Sequence, residues 1–548
     1  MAPNGEMRLE GKGAGAALPL SHPGLNVAST PSKELYLAAR RDVVERQAEA
    51  PARAARAGPA PRLVKHLHYI RGKAYDLRPF YEQHPGGADI LRMSAGIVDA
   101  TPLFESYHAF ANLPSIMSQL AKYEVAAEQS PEAMYSFEQD GFYATLTRRV
   151  RAHFGAESAK QSVTPAVKAD WAWAVKVGAQ VLLNCFFYYQ AFVRTDLPTP
   201  VAALCAVLSG LLLICWGFCA MHDASHFALG ARNHWANTLV TRVWTAIALW
   251  SCRVWMFHHA VLHHSFTGSA ELDPDVSHAL PLVRKHPDTP RSQAFALFRW
   301  LGDTFGMAGW TLACGLLYVL SPGMWLGQVL QYFQYRVALN EDWATKWNMP
   351  KLATVVGYET RWWENALYAA QLLVQYRRGN IYVTLAYVIA LNFFYSMAIV
   401  ADHDLVESAI TNHLDVDLPQ AQQQQQQQQQ QGERADGADG AMPAPQAVKP
   451  DWGEVQVRNS TDFVNDRYNL FAHAFGSINY QTVHHLFPGV SHTHLPSIAP
   501  IVQQTCEEFG VPYTVYPSLF DAWHSFVLVV RATMTGREDE LRPKAKAE

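Results

Sequence analysis

The sequence predicts a mostly α-helical chain in which a small soluble α+β domain precedes an integral-membrane helical domain with about four transmembrane helices. Three observations predict it. Two apolar stretches, 171–193 and 201–221, each approach the roughly 20 residues a helix needs to cross a bilayer, and the short RTDLPTP joins them as a hairpin. Further apolar stretches follow at 305–320, 324–339, 362–376 and 381–402. Histidine is the third signal. Random placement of 23 histidines in 548 residues gives roughly one HH dipeptide, yet the chain holds three, His258-His259, His263-His264 and His484-His485.

Composition narrows the function classes. At 49% hydrophobic and 12% aromatic residues the chain is no disordered polymer, and its length leaves room for at least two modules. A net charge of -4 gives no basic field for a phosphate backbone, which sets nucleic acid aside as a partner. Five of the seven cysteines lie in apolar runs and none forms a CxxC pair, so neither a disulfide framework nor a zinc knuckle is expected.

Along the chain, residues 1–61 are rich in Ala, Gly, Pro and Arg and read as a flexible tail. They lack the apolar core of a signal peptide, and Glu6, Glu10, Glu34, Asp42, Glu45 and Glu49 are many acids for an organelle transit peptide. Residues 62–126 are polar, with a β-like KAYDL and short helical stretches broken by Gly and Pro. Residues 127–165 form a charged connector. Its FYATLTRRVRAHF sets Phe142, Leu146 and Val150 on one helical face, suiting a membrane-surface helix. The membrane domain spans 166–530, interrupted at 419–448 by a glutamine-rich insertion read as disordered, and 531–548 is a charged tail.

Histidines that share one site must face one side of the membrane, so an even number of crossings separates 264 from 484. The second hairpin is therefore expected from 362–376 and 381–402, with 305–339 interfacial or re-entrant. Arg232, Arg242, Arg253, Arg284, Lys285, Arg291 and Arg299 lie between the hairpins, against Arg194 alone in the short 194–200 loop. The positive-inside rule then makes the histidine side cytosolic, with both termini.

Two patterns carry chemistry. HPGG places His84 at a glycine-rich turn, and DATPLFESYH ends in His108, 24 residues later. Two imidazoles from separate turns can ligate haem iron on opposite faces, a closed arrangement suited to electron transfer. The stretch KAYDLRPFYEQHPGGADIL and the spacing to the second histidine resemble cytochrome b5, over about 65 residues. That resemblance implies haem b with His84 and His108 as axial ligands. SHPG at 21–24 lacks the second Gly, the preceding strand and a matched histidine, so His22 is expected to be incidental.

The second pattern is three histidine boxes. HDASH holds His222 and His226 at i, i+4, one helical face. WMFHHAVLHHSF holds His259 and His263 at the same spacing and adds His264, and QTVHHLFP holds His484 and His485. Imidazoles without thiolates suit iron, zinc or copper, and seven or more exceed what one ion uses, so two metals are expected. Beside a one-electron haem donor, iron is the metal whose cycling with dioxygen makes sense.

These boxes, placed as they are around the hairpins, resemble the membrane fatty acid desaturases. With the N-terminal haem domain and Gln481 opening the third box, they resemble the front-end subgroup. The resemblance implies two non-haem irons held by His222, His226, His259, His263, His264, His484 and His485, with His403 in ADHD as a further ligand and Gln481 and Asn479 nearby. It also implies O2 as co-substrate, a polyunsaturated acyl-lipid substrate and NADH-cytochrome b5 reductase as electron source. The endoplasmic reticulum is the expected home, and the first 60 residues leave a plastid open. His234, His258 and His473 have weaker claims, His258 abutting the site without ligating.

There are departures. The chain reads QTVHH where front-end enzymes commonly have QIEHH, and Gly268 stands where the family often has Asn. HxxxHH followed by DPDV looks like enzymes acting at the Δ5 position. Two rivals accompany this expectation. One is a cytochrome-fused sphingolipid desaturase or fatty acyl hydroxylase; the other is a haem-binding membrane adaptor with a vestigial metal site.

Overall fold

The computed structural model describes residues 63–127, 130–230, 234–269, 272–277, 296–320, 355–399, 402–403, 405–408, 449–464, 473–537 and 541, all within one compact unit, Arg53–Pro543. The expected N-terminal tail, the apolar stretch 324–339, the glutamine-rich insertion and nearly all of the charged C-terminal tail beyond residue 537 lie outside the described residues.

A three-stranded antiparallel sheet, β1 (His68–Ile70), β2 (Lys73–Tyr75) and β3 (Glu124–Val125), opens the small domain in the order β1-β2-β3. His68 pairs with Tyr75 and Ala74 with Val125. Arg71 (φ 51°) and Gly72 (φ 72°) make the two-residue turn between β1 and β2, whose left-handed pair matches the twist of a tight hairpin. Three short helices cover the sheet: α1 (Ala88–Ser94), α2 (Thr101–His108) and α3 (Leu113–Leu120), the last capped by Asn112 Oδ1, which accepts from Ser115 N at 3.1 Å. Tyr69, Met93 and Ile97 are buried at its centre.

The connector helix α4 (Phe142–His153) departs from its expected place. Phe142, Leu146 and Val150 are almost completely buried, packed with Val483, Phe487, Leu495 and Ile498 rather than on a membrane surface. An amphipathic face buries itself wherever a matching apolar face exists, and here the segment after the third box supplies one. Tyr143 Oη donates to Leu486 O at 3.2 Å, so α4 props that box from below.

Two helical hairpins form the membrane-like part. The first joins α5 (Trp171–Tyr188) to α6 (Thr199–Ser225); then come α7 (His234–Ile247), α8 (residues 252–266) and α9 (Ala296–Leu320), which bends at Gly306 (φ 59°, ψ -140°). The second joins α10 (Trp362–Arg378) to α11 (Ile381–Ile399). α6 packs against both α5 and α11. At Gly210 an added Cβ would lie 3.1 Å from Ala390 Cβ, the small-residue contact that lets apolar helices approach closely.

Among the described residues, α6 and α11 are long and apolar enough to cross a membrane, with mean hydropathy 2.4 and 1.6. α5 and α10 carry polar residues, and the structure shows where these go. Lys176 donates to His473 O, Gln180 to Ala474 O and Asn184 to Ser209 O, a stripe at i, i+4, i+8 turned into the protein. On α10, Glu364 pairs with buried Arg242 and Gln371 donates to Ile247 O. The outward faces carry large apolar side chains, Trp171, Leu182 and Phe186 on α5 and Trp362, Leu373 and Tyr376 on α10, beside exposed Asn365 and Arg377. Arg378 ties the two hairpin tips together, donating to Ala191 O, Thr195 O and Leu197 O.

The C-terminal part supplies α12 (Trp452–Asn459), α13 (Gln481–Leu486), α14 (Leu495–Phe509) and α15 (Leu519–Thr535), with a parallel pair of two-residue strands, β4 (Asp462–Phe463) and β5 (Val515–Tyr516).

Candidate functional site

The first site lies in the small domain. The His84 and His108 rings face each other with centroids 6.3 Å apart. Metal–imidazole bonds of about 2 Å on opposite sides of one ion set the ring centres about 6 Å apart. His84 Nδ1 contacts Gly87 O at 3.2 Å and His108 Nδ1 contacts Phe104 O at 2.7 Å, leaving each Nε2 for the space between the rings. A Cβ on Gly86 would come within 2.8 Å of the His84 ring, so the turn admits only glycine there. Burial, reinforced by His108, pulls the His84 pKa down to about 4, and burial lowers that of His108. Both are neutral at pH 7, the form that ligates.

The second site gathers eight imidazoles from four distant segments. His222 and His226 come from the end of α6, where Gly217–His222 winds as a π-helix. Gly217 is obligatory because a Cβ would meet the Trp244 ring at 2.5 Å. His259, His263 and His264 come from α8, π-helical over Met256–His263. His403 follows α11, and His484 and His485 sit on α13.

The ligand nitrogens fall into two groups, each within 4.8 Å: His222, His226, His259, His264 and His484 in one, His263, His403 and His485 in the other. The spacing i, i+4 predicts His259 and His263 side by side. The wider π winding instead joins His259 to His264, Nε2 to Nε2 at 3.4 Å, and hands His263 to His403 at 3.2 Å. Neighbouring ligands on one metal, each about 2.1 Å away, stand about 3 Å apart, as His222 and His259 do at 3.1 Å.

Whether these residues fit metal is answered by their unused nitrogens. His226, His484 and His485 have buried Nε2 atoms with no hydrogen-bond partner. His222, His259 and His264 bring Nε2 atoms against one another at 3.1–3.4 Å, contacts that need an intervening cation or proton. Burial first, then the neighbouring imidazoles, hold His226, His259, His264, His484 and His485 far below the ordinary histidine range and His403 at about 4. A pocket of neutral imidazoles is a cation site.

The opposite nitrogens are held by other elements. His263 Nδ1 faces Asp273 Oδ1 at 3.0 Å, His403 Nδ1 faces Asn459 O at 2.9 Å, and His485 Nδ1 faces Gln456 Oε1 at 3.0 Å. His226 Nδ1 faces Tyr107 Oη of the small domain at 2.6 Å. Asp223, inside the first box, accepts from Ser491 Oγ at 2.7 Å and pairs with His492 at 2.9 Å, locking that box to the loop after the third. None of these partners except the DPDV aspartate lies near its histidine in sequence, so periodicity could not find them.

The remaining named residues are placed as follows. Gln481 Nε2 stands 2.9 Å from His403 Nε2, at the three-histidine group. Asn479 is buried and donates to Val464 O at 3.1 Å, away from the imidazoles' nitrogens. His258 pairs with Asp275 and enters neither the five-histidine nor the three-histidine group. His234 instead approaches the HPGG turn, where a Cβ on Gly87 would lie 3.2 Å from its ring. A small cavity beside the histidines is lined by Phe218, Ile478 and Leu495 together with His222, Gln481 and His484.

Comparison with known families matches residues 198–517 to the fatty acid desaturase model. The chain belongs to the fatty acid desaturase family. Residues 65–127 of this desaturase match the cytochrome b5-like heme/steroid binding domain. It is similar to the acyl-lipid (8-3)-desaturase of Mortierella alpina, 27% identical across 87% of this chain and 94% of the relative. The acyl-lipid (8-3)-desaturase of Physcomitrium patens is 26% identical across 83% and 85%. The chloroplastic acyl-lipid (7-3)-desaturase of Chlamydomonas reinhardtii is 25% identical across 88% and 85%. The protein is thus an oxidoreductase, a desaturase of the front-end type with a fused b5 domain. Its family implies iron and O2, and its b5 domain implies haem.

Proposed function

We propose that this desaturase inserts a double bond between an existing double bond and the carboxyl end of a polyunsaturated acyl-lipid, at the position its (8-3) and Δ5 relatives are named for. The observation that carries the reading is the division of eight imidazoles, most of them buried, into two groups. His222, His226, His259, His264 and His484 would hold one iron and His263, His403 and His485 the other, with Gln481 beside His403. Two such irons would supply the oxidising power, with O2, for removing two hydrogens from neighbouring methylenes.

The chain's own residues set the rest. Asp273, Asn459 O and Gln456 fix which nitrogen of each imidazole turns inward. Phe218, Ile478 and Leu495 bring apolar side chains to the small cavity that His222, His484 and Gln481 also line. His84 and His108, whose rings face each other across 6.3 Å, would hold haem b, which would supply one-electron transfer, with NADH-cytochrome b5 reductase as the electron source.

α5, α6, α10 and α11 form four spans. Lys176, Gln180, Asn184, Glu364 and Gln371 find partners inside the protein, and Trp171, Tyr189, Trp362 and Tyr376 lie exposed at the ends as interfacial aromatics. The hairpin tips joined by Arg378 lie on the far side, and the histidines and both termini lie on the cytosolic side of the endoplasmic reticulum. The haem domain covers 62–126, the connector 127–165 and the membrane domain 166–530.

Expression in a host supplied with polyunsaturated fatty acids, followed by gas chromatography of its lipids, tests this reading. A product with one added double bond on the carboxyl side of the existing ones is expected. A hydroxylated product, or a bond added toward the methyl end, would contradict it.

A further inference from the structure

Among the partners of the metal-facing imidazoles, Tyr107 stands apart. The orienting groups of His263, His403 and His485 all come from the desaturase part of the chain. That of His226 comes from the small domain, whose α2 lays Tyr107 Oη 2.6 Å from His226 Nδ1, the two rings nearly parallel at 22°. The next residue in the chain is His108. One imidazole facing the haem space and one facing the five-histidine group are therefore joined by a dipeptide and a single hydrogen bond.

The docking that makes this contact is built, not incidental. Arg151 of α4 donates to Ala109 O at 2.7 Å and to Ala111 O at 2.9 Å, gripping the chain just past α2. Val163 N donates to Phe110 O at 2.9 Å, and the Phe110 ring packs on Phe487, two residues after the third box. Phe227, next to His226, meets the Tyr107 ring edge-on at 6.0 Å. His226 itself is fully buried and its Nε2 has no protein partner.

We propose that Tyr107 is the bridge by which electrons leave the haem domain for the metal centre, entering through His226. The inference rests on the haem and iron assignments above. One electron crosses at a time: ferrous haem becomes ferric and one ferric ion of the centre becomes ferrous, while the hydrogen bond keeps its proton. Two crossings supply the two electrons that, with two substrate hydrogens and two protons, reduce O2 to two waters. The reductase restores the haem.

The test uses the full chain in lipid nanodiscs, loaded with haem and iron, comparing wild type with Tyr107→Phe, which keeps the ring and removes the hydroxyl. Stopped-flow spectroscopy follows reoxidation of ferrous haem by the ferric centre under anaerobic conditions. The variant is expected to keep its Soret band, haem potential and non-haem iron but to reoxidise several-fold more slowly, because the hydrogen-bonded link to His226 is gone. Product from a single turnover of sites reduced directly with dithionite is expected to match wild type. Unchanged haem reoxidation would overturn the bridge. Lost iron or an equal fall in the dithionite reaction would overturn it too, leaving Tyr107 a prop for His226. Wild-type haem that never reoxidises marks failure of the underlying metal assignment instead.

Discussion

The two histidine sites are built on opposite plans. At the haem site both imidazoles lie within 24 residues, and each Nδ1 is held by a backbone carbonyl three or four residues away. At the metal centre eight imidazoles come from segments spread over residues 222–485, and side chains of other elements hold several of them. A local site forms whenever its own domain folds. A distributed one depends on tertiary packing and tolerates less disturbance, because each orienting group sits on an element with its own packing demands.

The largest effect should follow from breaking the distributed site at a ligand. His222→Ala should keep its haem spectrum yet lose desaturation to background, at least about 100-fold, when assayed with substrate. The converse substitution, His84→Ala, should lose the Soret band while retaining non-haem iron. Its activity with NADH should collapse, and activity that survived would mean an external donor suffices.

Smaller effects sharpen the contrast in how the ligands are held. Asp273→Asn keeps every ligand but weakens the partner of His263, and iron affinity or turnover should fall about 10- to 100-fold. No equivalent substitution exists at the haem site, where backbone carbonyls do that work.

The smallest effect concerns the haem domain's pH dependence, through His68, which contacts Leu91 O at 2.8 Å. Burial lowers its pKa from 6.5 to about 4. Between those values the unfolded chain binds a proton that the folded one refuses, so stability falls as pH drops from 6.5 toward 4, by roughly 3 kcal/mol at most. Haem retention titrated from pH 7 to 4 should weaken across that window in wild type and less in His68→Gln.

Legibility in the sequence follows the same division. HPGG and His108 are local, so their stretch could be matched to cytochrome b5, and the structure sets the two rings 6.3 Å apart. The boxes were readable as a set, and His403 stands with His263 and His485. What escaped was non-local. The π winding of α8 sorted His263 away from His259, against the i, i+4 expectation. The face of α4 found Phe487 and Leu495 instead of a membrane. Tyr107, Gln456 and Asn459 carry no pattern of their own, because only docking brings them to an imidazole. Nor could hydropathy show that Lys176, Gln180, Asn184 and Glu364 of α5 and α10 find their partners inside the protein.

Metal analysis of the purified full-length protein tests the central claim most directly, with haem measured separately by its absorbance. The two imidazole groups and the His84–His108 pair predict one haem and two further irons per chain. Haem iron alone, or zinc in place of the two irons, would contradict it.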